Sequence, residues 1–451
     1  MTFASKIIFF LICFSLIVAT LLYGTVHQPT ISFFYLQVGL MLVLWAYDAF
    51  RGGELRLSRH LLQIPLYATA IYGFIQTIPF GTAVEMAGLA GIPSTISAAP
   101  FETQLTSMHF LALGLFFSIT LAHINTAARI ERIVNVVAIF GFAYAFFAIL
   151  QSFLSPGKVY GIYERFGAAP FGSFVNRHNF AAFINMVMAL PLGLLFAGSV
   201  KRDKKLLYIT AVALMGVSLV LSGSRGGLVA FLAEILLLVF LTTRTKGSRN
   251  IAIRSALAIA LLTAIVGGTF FIGGDSTLTR VAETDVSKDV TADRVHIWKI
   301  TLNVIANNLP FGSGLGAFGQ AYTRFDNFTG LSRVEQAHND YLQVLADMGL
   351  VGLVIGALFL YLLYLSARRG LEVKNSFRHA VAIGTIAGIF AVLVHSLFDF
   401  VLHTTAVAML FLLLMALLAA CAREYSDDRS EEMPDKRRRP AGKVMRMASR
   451  R

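Results

Sequence analysis

Charged residues are scarce in this chain of 451 residues: they make up 14% of it, whereas a soluble globular domain carries about 25%. Cysteine occurs only as Cys13 and Cys421, and both lie in apolar runs. Two such cysteines indicate neither a disulfide framework nor a cysteine metal site. The scarcity of charge excludes an ordinary soluble protein, and 56% of the residues are hydrophobic.

Apolar runs close to the roughly 20 residues that span a bilayer recur along almost the whole chain. They predict an all-α polytopic membrane protein of about 12 transmembrane helices. The first run follows Lys6 without a small-residue cleavage site, so we expect an uncleaved first helix. The predicted spans are 7–23, 32–48, 61–78, 108–124, 133–153, 179–200, 206–221, 228–242, 251–272, 341–366, 380–398 and 403–421.

Lysine and arginine set the predicted orientation, because they collect in cytoplasmic loops. Most of them fall on the side of the N-terminus, and the short outer segments 24–31, 79–107 and 399–402 contain none. The net charge of +13 is spread over inner loops and a tail, which favours contact with anionic membrane lipids over a nucleic-acid partner. We expect a membrane domain at 1–421 and a basic cytoplasmic tail at 422–451.

One outer loop, 273–337 between spans nine and ten, is far longer than the others. Loops beyond about 12 to 15 residues are usually functional or disordered, and the apolar residues here argue against disorder. Helical spacing of those residues between Ala292 and Asn307 predicts an amphipathic helix that lies on the membrane or caps the bundle.

Three predicted spans begin on the outer side with polar or basic residues. Span six begins near "NRHN" at 176–179, span eight near "SGSRGG" at 222–227, and span ten near "AHNDYLQ" at 337–343. Unpaired N–H groups and the macrodipole make helix N-termini anion sites, and glycine lets the backbone approach a phosphate. The recurrence on one face predicts a single convergent anion site.

Each motif alone also fits a structural role. The serines of "SGSRGG" can cap a helix while its arginine extends to the lipid headgroups. The polar residues of "NRHN" and "AHNDYLQ" can likewise cap helices or satisfy backbone groups. The recurrence of three motifs on one face, together with Arg294 in the outer loop, favours function.

The order of these motifs resembles the bacterial O-antigen ligase and polysaccharide polymerase superfamily. The resemblance is strongest over 170–360 and extends to a hairpin near the end. The segments that carry it are "SGSRGG", "DRVHIWK", "PFGSGLGAF", "AHNDYLQVLADMGLVGL" and "HSLFDFVLHTTAVAMLF". It implies an inner-membrane glycosyltransferase with a GT-C-like, all-helical fold and a periplasmic active site.

The resemblance also implies the substrates. The donor is an undecaprenyl-diphosphate-linked glycan, and the acceptor is a sugar hydroxyl of lipid A core in a ligase. A polymerase of O-antigen or exopolysaccharide repeat units instead uses the end of another lipid-linked glycan, and the motifs leave both activities open. We expect inverting transfer without a metal or other cofactor.

Catalytic roles are implied for His338, Arg225 and Arg294. Arginine offers permanent charge and paired donors for phosphate oxygens, and a neutral histidine at a helix N-terminus can act as a base. The residues expected to bind the diphosphate or the glycan are Asn176, Arg177, Ser222, Ser224, Gly226, Asn339 and Asp340.

A polysaccharide or lipid transporter is the alternative from another class, since twelve spans are common among transporters. It predicts internal repeats and ionisable residues near the bilayer midplane. No repeat is evident, and Glu234 and Asp347 are the exceptions among mid-span positions that are nearly free of charge. These features favour the enzyme.

Overall fold

The computed structural model describes residues 2–55, 57–81, 84–86, 88–92, 94–164, 169–243, 248–282, 290–327 and 333–423. The predicted tail 422–451 therefore lies outside the described residues except for 422–423. The helices are α1 Phe3–Leu21, α2 Gln28–Gly52, α3 Gln63–Gln76, α4 Pro100–His123, α5 Ala127–Leu154, α6 Arg177–Ala197, α7 Lys205–Leu221, α8 Arg225–Thr243, α9 Ser248–Ala282, α10 Val290–Asn308, α11 Phe318–Thr323, α12 Asp340–Leu371, α13 Ser376–His395 and α14 Thr405–Cys421. Two short strands, β1 Val84–Met86 and β2 Leu89–Ile92, pair antiparallel. The all-α prediction is confirmed.

Among the described residues, ten helices are long and apolar enough to cross a membrane: α1, α2, α4 to α6, α7 together with the 3-10 turn Arg202–Lys204 before it, α8, α9, α12 and α13. The other two predicted spans, 61–78 and 403–421, coincide with α3 of 14 residues and α14 of 17 residues. Both are shorter than the roughly 20 residues that a full crossing needs. The predicted twelve spans are thus ten full-length helices and two shorter ones.

Helix α6 lies at the centre of the bundle, because 94% of its most apolar stretch is buried. It packs against α13 where Gly193 faces Gly384, and a Cβ on Gly193 would lie 2.4 Å from the Gly384 Cα. Small residues permit such close helix contacts in membrane bundles. Helix α14 is also buried along its whole length. The central helices therefore hold the ends of α6 and α13 in a fixed relation.

The amphipathic helix expected between Ala292 and Asn307 is present as α10. Its buried residues Ile300 and Val304 belong to a small apolar core that includes residues of α11 and α12. Trp298 Nε1 also donates to a carbonyl just before α12, at 3.0 Å. Helix α10 therefore covers the start of α12. Helix α9 runs on to Ala282, beyond the predicted end of its span at 272.

The glycine-rich segment 310–317 is fastened to α12 at Asp347. The Gly316 N–H donates to Asp347 Oδ2 at 3.0 Å. Helix α12 is interrupted at Gly349, which has a φ of +57°, and a Cβ there would lie 2.2 Å from the Pro310 carbonyl oxygen. Only glycine fits both the left-handed backbone and the close approach. Asp347, which lies inside the predicted span 341–366, therefore holds the segment 310–317 in place.

Helices α6, α8 and α12 begin at one end of the bundle, which we call the site end. His338, just before α12, contacts Asp399, just after α13, and Ser224, just before α8, contacts His178 in the first turn of α6. At the opposite, far end, Arg423 donates from the end of α14 to a carbonyl in the last turn of α4 at 3.1 Å.

Candidate active site

Asp399 lies at the centre of a polar cluster at the site end. It follows α13, and its side chain is 2% exposed. Arg294 Nη2 lies 3.1 Å and His178 Nδ1 lies 3.7 Å from its Oδ2 atom. His338 Nδ1 lies 3.2 Å from its Oδ1 atom. One carboxylate therefore joins α6, α10, α13 and the start of α12.

The neighbours of Asp399 fix its charge. Burial alone raises the pKa of a carboxyl group, but the hydrogen bond from His338, the electrostatic interactions with His178 and His338 and the positive charge of Arg294 outweigh this effect. They hold the pKa of Asp399 well below its usual range. Asp399 is therefore ionised at neutral pH, and an ionised carboxylate can only accept hydrogen bonds.

His338 is held so that one ring nitrogen stays available. Because Nδ1–H donates to Asp399, Nε2 keeps the lone pair in the neutral ring. The side chain is 31% exposed, and Phe400 lies edge-on to it with ring centroids 4.9 Å apart. Its backbone φ of +51° lies in the left-handed region, which costs roughly 1–2 kcal/mol for a residue with a Cβ. The arrangement suits an oriented base.

The next two residues tie the start of α12 to the turn after α13. Asn339 Oδ1 accepts from two N–H groups of the first helical turn, each at 3.0 Å, and its Nδ2 donates to the Leu397 carbonyl at 3.0 Å. Asp340 Oδ2 accepts from Ser396 Oγ at 2.7 Å, and its Oδ1 lies 3.0 Å from His403 Nδ1. Both side chains are engaged with the protein, directly after His338.

Asn176 and two serines order the starts of α6 and α8. Asn176 Oδ1 caps α6 by accepting from the His178 N–H at 2.9 Å. Ser224 Oγ lies 2.9 Å from His178 Nδ1 and accepts from the Gly227 N–H at 3.2 Å. Ser222 Oγ donates to a carbonyl in the last turn of α7 at 2.6 Å. These contacts hold the N-termini of α6 and α8 beside each other.

Two arginines at the site end have no side-chain hydrogen bond or ion pair within the described part of the chain. Arg177 is the first residue of α6, and Arg225 is the first residue of α8. The charges of Arg225 and Arg294 both act on Arg177, so the three cations lie near one another. Among the arginines that the structure describes, Arg294 is the one that pairs with Asp399. The cluster therefore carries an excess of positive charge suited to an anion.

Sequence reasoning missed Asp399 and His395 as candidate functional residues. His395, in the last turn of α13, is fully buried, and neither ring nitrogen has a partner among the residues that the structure describes. The charge of Asp399 acts on it. A Cβ on Gly226 would lie 3.1 Å from its ring. The available signal was "HSLFDF", which places both ionisable residues at a short outer turn.

The predicted site residues meet at the site end by different routes. His338 and Arg294 contact Asp399 directly, and Ser224 reaches it through His178. Gly226 joins the cluster through its packing against the α13 end. Ser224 and Asn176 serve as caps, and the charges of Arg225, Arg294 and Asp399 act on Arg177.

A comparison with protein families gives one match. A family model described as O-antigen ligase matches residues 210–357. Residues 210–357 are therefore similar to an O-antigen ligase domain. The predicted resemblance to the O-antigen ligase superfamily is thereby confirmed. The domain contains Arg225, Arg294 and His338, whereas Arg177 and Asp399 lie outside the matched residues.

No curated protein matches the chain. The O-antigen ligase family nevertheless implies a membrane glycosyltransferase-like enzyme with lipid-linked glycan substrates. Together with the ten apolar helices, it indicates a multi-pass protein of the inner membrane.

Proposed function

We propose that this protein is an O-antigen ligase-type glycosyltransferase. It moves a glycan from undecaprenyl diphosphate to a sugar hydroxyl of lipid A core at the periplasmic face. The observation that carries the proposal is the pairing of His338 with the buried, ionised Asp399. Arg177 and Arg225, at the first positions of α6 and α8, have no side-chain partner among the residues that the structure describes.

The proposed step is a single inverting displacement. The acceptor hydroxyl oxygen attacks the anomeric carbon on the face opposite the diphosphate and forms the new glycosidic bond. The bond between that carbon and the diphosphate oxygen breaks, and undecaprenyl diphosphate leaves with the bonding electrons. Nε2 of His338 takes the proton of the hydroxyl, and Asp399 stabilises the imidazolium that results.

The arginines act on the diphosphate. Arg177 and Arg225 donate to its oxygens as their negative charge increases, because guanidinium groups match phosphate oxygens with paired donors. Arg294 is oriented by Asp399 and adds a third positive charge. Permanent cations of this kind stabilise a leaving diphosphate without a metal ion, so we propose metal-independent transfer.

The other candidate residues position these groups. Asn339 and Asp340 hold the start of α12 in place. Asn176, Ser222 and Ser224 hold the N-termini of α6 and α8. Gly226 allows α8 to approach the end of α13. These residues therefore act on the site through the backbone and through His178, and their contribution to substrate binding is indirect.

The distribution of basic residues supports a periplasmic site end. The short segments 24–31, 79–107 and 399–402, which include residues of the connections α1–α2, α3–α4 and α13–α14, contain no lysine or arginine. Basic residues collect in cytoplasmic segments. The far end therefore faces the cytoplasm in this proposal.

Reconstituted transfer tests the function. Purified protein in lipid vesicles receives an undecaprenyl-diphosphate-linked glycan and either lipid A core or a second lipid-linked glycan as the acceptor. We expect transfer to lipid A core, unchanged by EDTA. Elongation of the lipid-linked glycan instead would identify a polymerase, and loss of activity in EDTA with recovery in magnesium would contradict the metal-independent mechanism.

A further inference from the structure

A cavity of about 510 Å³ lies at the far end of the bundle. It is bounded by the segment 57–62 between α2 and α3, by the last turn of α4, by the last turns of α12 and by Arg423. Along α12 it is roughly 35 to 45 Å from His338, at about 1.5 Å of rise per residue. The cavity is therefore separate from the proposed active site.

The charged residues that line this cavity are all basic. Arg59, Arg369 and Arg423 contribute to its wall, and none of the described lining residues is acidic. Arg423 is held by carbonyl groups of α4 and its following residues. The guanidinium groups of Arg59 and Arg369 have no protein partner within the described ranges. Two exposed cations without a partner among the described residues therefore border one open cavity.

His60 also lines the cavity, and the arginines affect its pKa. Its pKa is lowered to about 4 by burial and, in addition, by the charges of Arg423 and Arg369. Its Nδ1 atom lies 3.4 Å from the Leu62 N–H and accepts a hydrogen bond from it. The ring is therefore neutral at physiological pH and adds no charge of its own to the cavity.

Part of the cavity wall is apolar. Leu362 and Leu365 line it from α12, and Leu57 and Leu61 line it from the segment before α3. Leu57 is 63% exposed and Leu61 is 55% exposed. A ligand that fits both parts carries an anionic group for the arginines and a hydrocarbon segment for the leucines. The volume lies within the usual range for small-molecule sites, about 300 to 1,000 Å³.

We propose that this far-end cavity binds the phosphate group of an anionic phospholipid. The arginines bind the phosphate as paired donors, and the leucines contact the glycerol and the first part of the acyl chains. A soluble phosphate compound offers the same anionic group but no hydrocarbon, so the leucine wall favours the lipid. The site lies among the ends of membrane helices, where lipid headgroups are concentrated.

A binding titration tests this site. The purified full-length protein in an uncharged detergent is titrated with short-chain phosphatidylglycerol, with phosphatidylcholine of the same chain length and with inorganic phosphate. Native mass spectrometry counts the bound lipid. We expect saturable binding of phosphatidylglycerol and at least about tenfold weaker binding of the other two ligands. Phosphatidylcholine lacks the net negative charge for the arginines, and inorganic phosphate lacks the hydrocarbon for the leucines.

The variant Arg59→Gln with Arg369→Gln removes both free cations and should weaken phosphatidylglycerol binding by about tenfold or more. Arg368→Gln is the matched control, because Arg368 lies next to Arg369 on α12 but pairs with Glu372 outside the cavity. It should bind as the wild type does. Equal binding by the double variant and the wild type, at equal melting temperatures, would overturn the proposal. Binding of inorganic phosphate as tight as that of the lipid would also overturn it.

Discussion

The Nδ1 atom of His338 lies 3.2 Å from Oδ1 of Asp399, across the junction between the start of α12 and the end of α13. The same oxygen accepts the N–H of Phe400 at 2.9 Å, so the carboxylate is itself held in place. A buried acid therefore orients a half-buried imidazole, and the orientation leaves Nε2 free for the proton of an acceptor hydroxyl.

Replacing Asp399 by Asn should remove most of the transfer activity. The amide keeps the size of the carboxylate but lacks the charge that stabilises an imidazolium, so we expect kcat to fall about 10²- to 10⁴-fold. The rate is measured at saturating donor and acceptor. Glu102→Gln, which neutralises an exposed acid in the first turn of α4, is the control and should keep the wild-type rate. A normal kcat for Asp399→Asn contradicts the assigned role.

Replacing Arg225 by Lys should cause a severe loss of transfer while expression stays normal. Lysine keeps the charge but loses the planar pair of donors that matches a phosphate. Losing one charge-assisted hydrogen bond costs about 1.5–3 kcal/mol, which is about 10- to 150-fold in kcat/KM. Arg324→Lys, at an exposed arginine just after α11, serves as the control. Equal activity of both variants would show that Arg225 contributes only charge.

The depressed pKa of Asp399 predicts how stability depends on pH. Unfolded Asp titrates near 3.9, and the folded value lies below it, so the ionised group stabilises the fold above that pH. The contribution is lost as the pH falls through the folded pKa. Between about pH 8 and 9, above the ordinary histidine pKa of about 6.5, the melting temperatures of the wild type and Asp399→Asn should therefore differ by a constant amount. A difference that disappears within this range contradicts the assigned charge state.

Gly349 should tolerate no side chain. A Cβ there meets the Pro310 carbonyl at 2.2 Å, and the backbone has a φ of +57°, so Gly349→Ala should destabilise the protein by roughly 1–3 kcal/mol. Gly356→Ala is the matched control on the same helix, since a Cβ there meets nothing within 4 Å. It should be neutral or stabilising by up to about 1 kcal/mol. Denaturant unfolding in detergent compares the two, and equal effects would refute the close contact.

The sequence predicts much of this fold because lipid imposes simple rules. Apolar runs identify the membrane helices, and helical spacing between Ala292 and Asn307 identifies α10. Run length is a poorer guide to helix length. Leu61 and Leu62 extend one apolar run, yet they lie in a turn before α3, so that helix has only 14 residues.

The centre of the site was harder to predict, because it depends on contacts between distant parts of the chain. His338 and Arg294 were predicted from their motifs, but Asp399 is 61 positions from one and 105 from the other. A lone acid in a short turn carries no local signal of the groups that it will pair with. Asp347 shows the same limit, since its partner Gly316 lies 31 positions away.

The central claim is that His338 is the base, and single-turnover transfer by His338→Ala and His338→Asn tests it most directly. Both variants should insert, fold and bind the lipid-linked donor as the wild type does, since the arginines that bind the diphosphate remain. Asn tolerates the positive φ and can still donate to Asp399. It cannot take a proton, so both variants should lose about 10²- to 10⁴-fold in rate at saturating donor. Weakened donor binding with a normal rate at saturation would contradict this account and would assign His338 to the phosphate site instead.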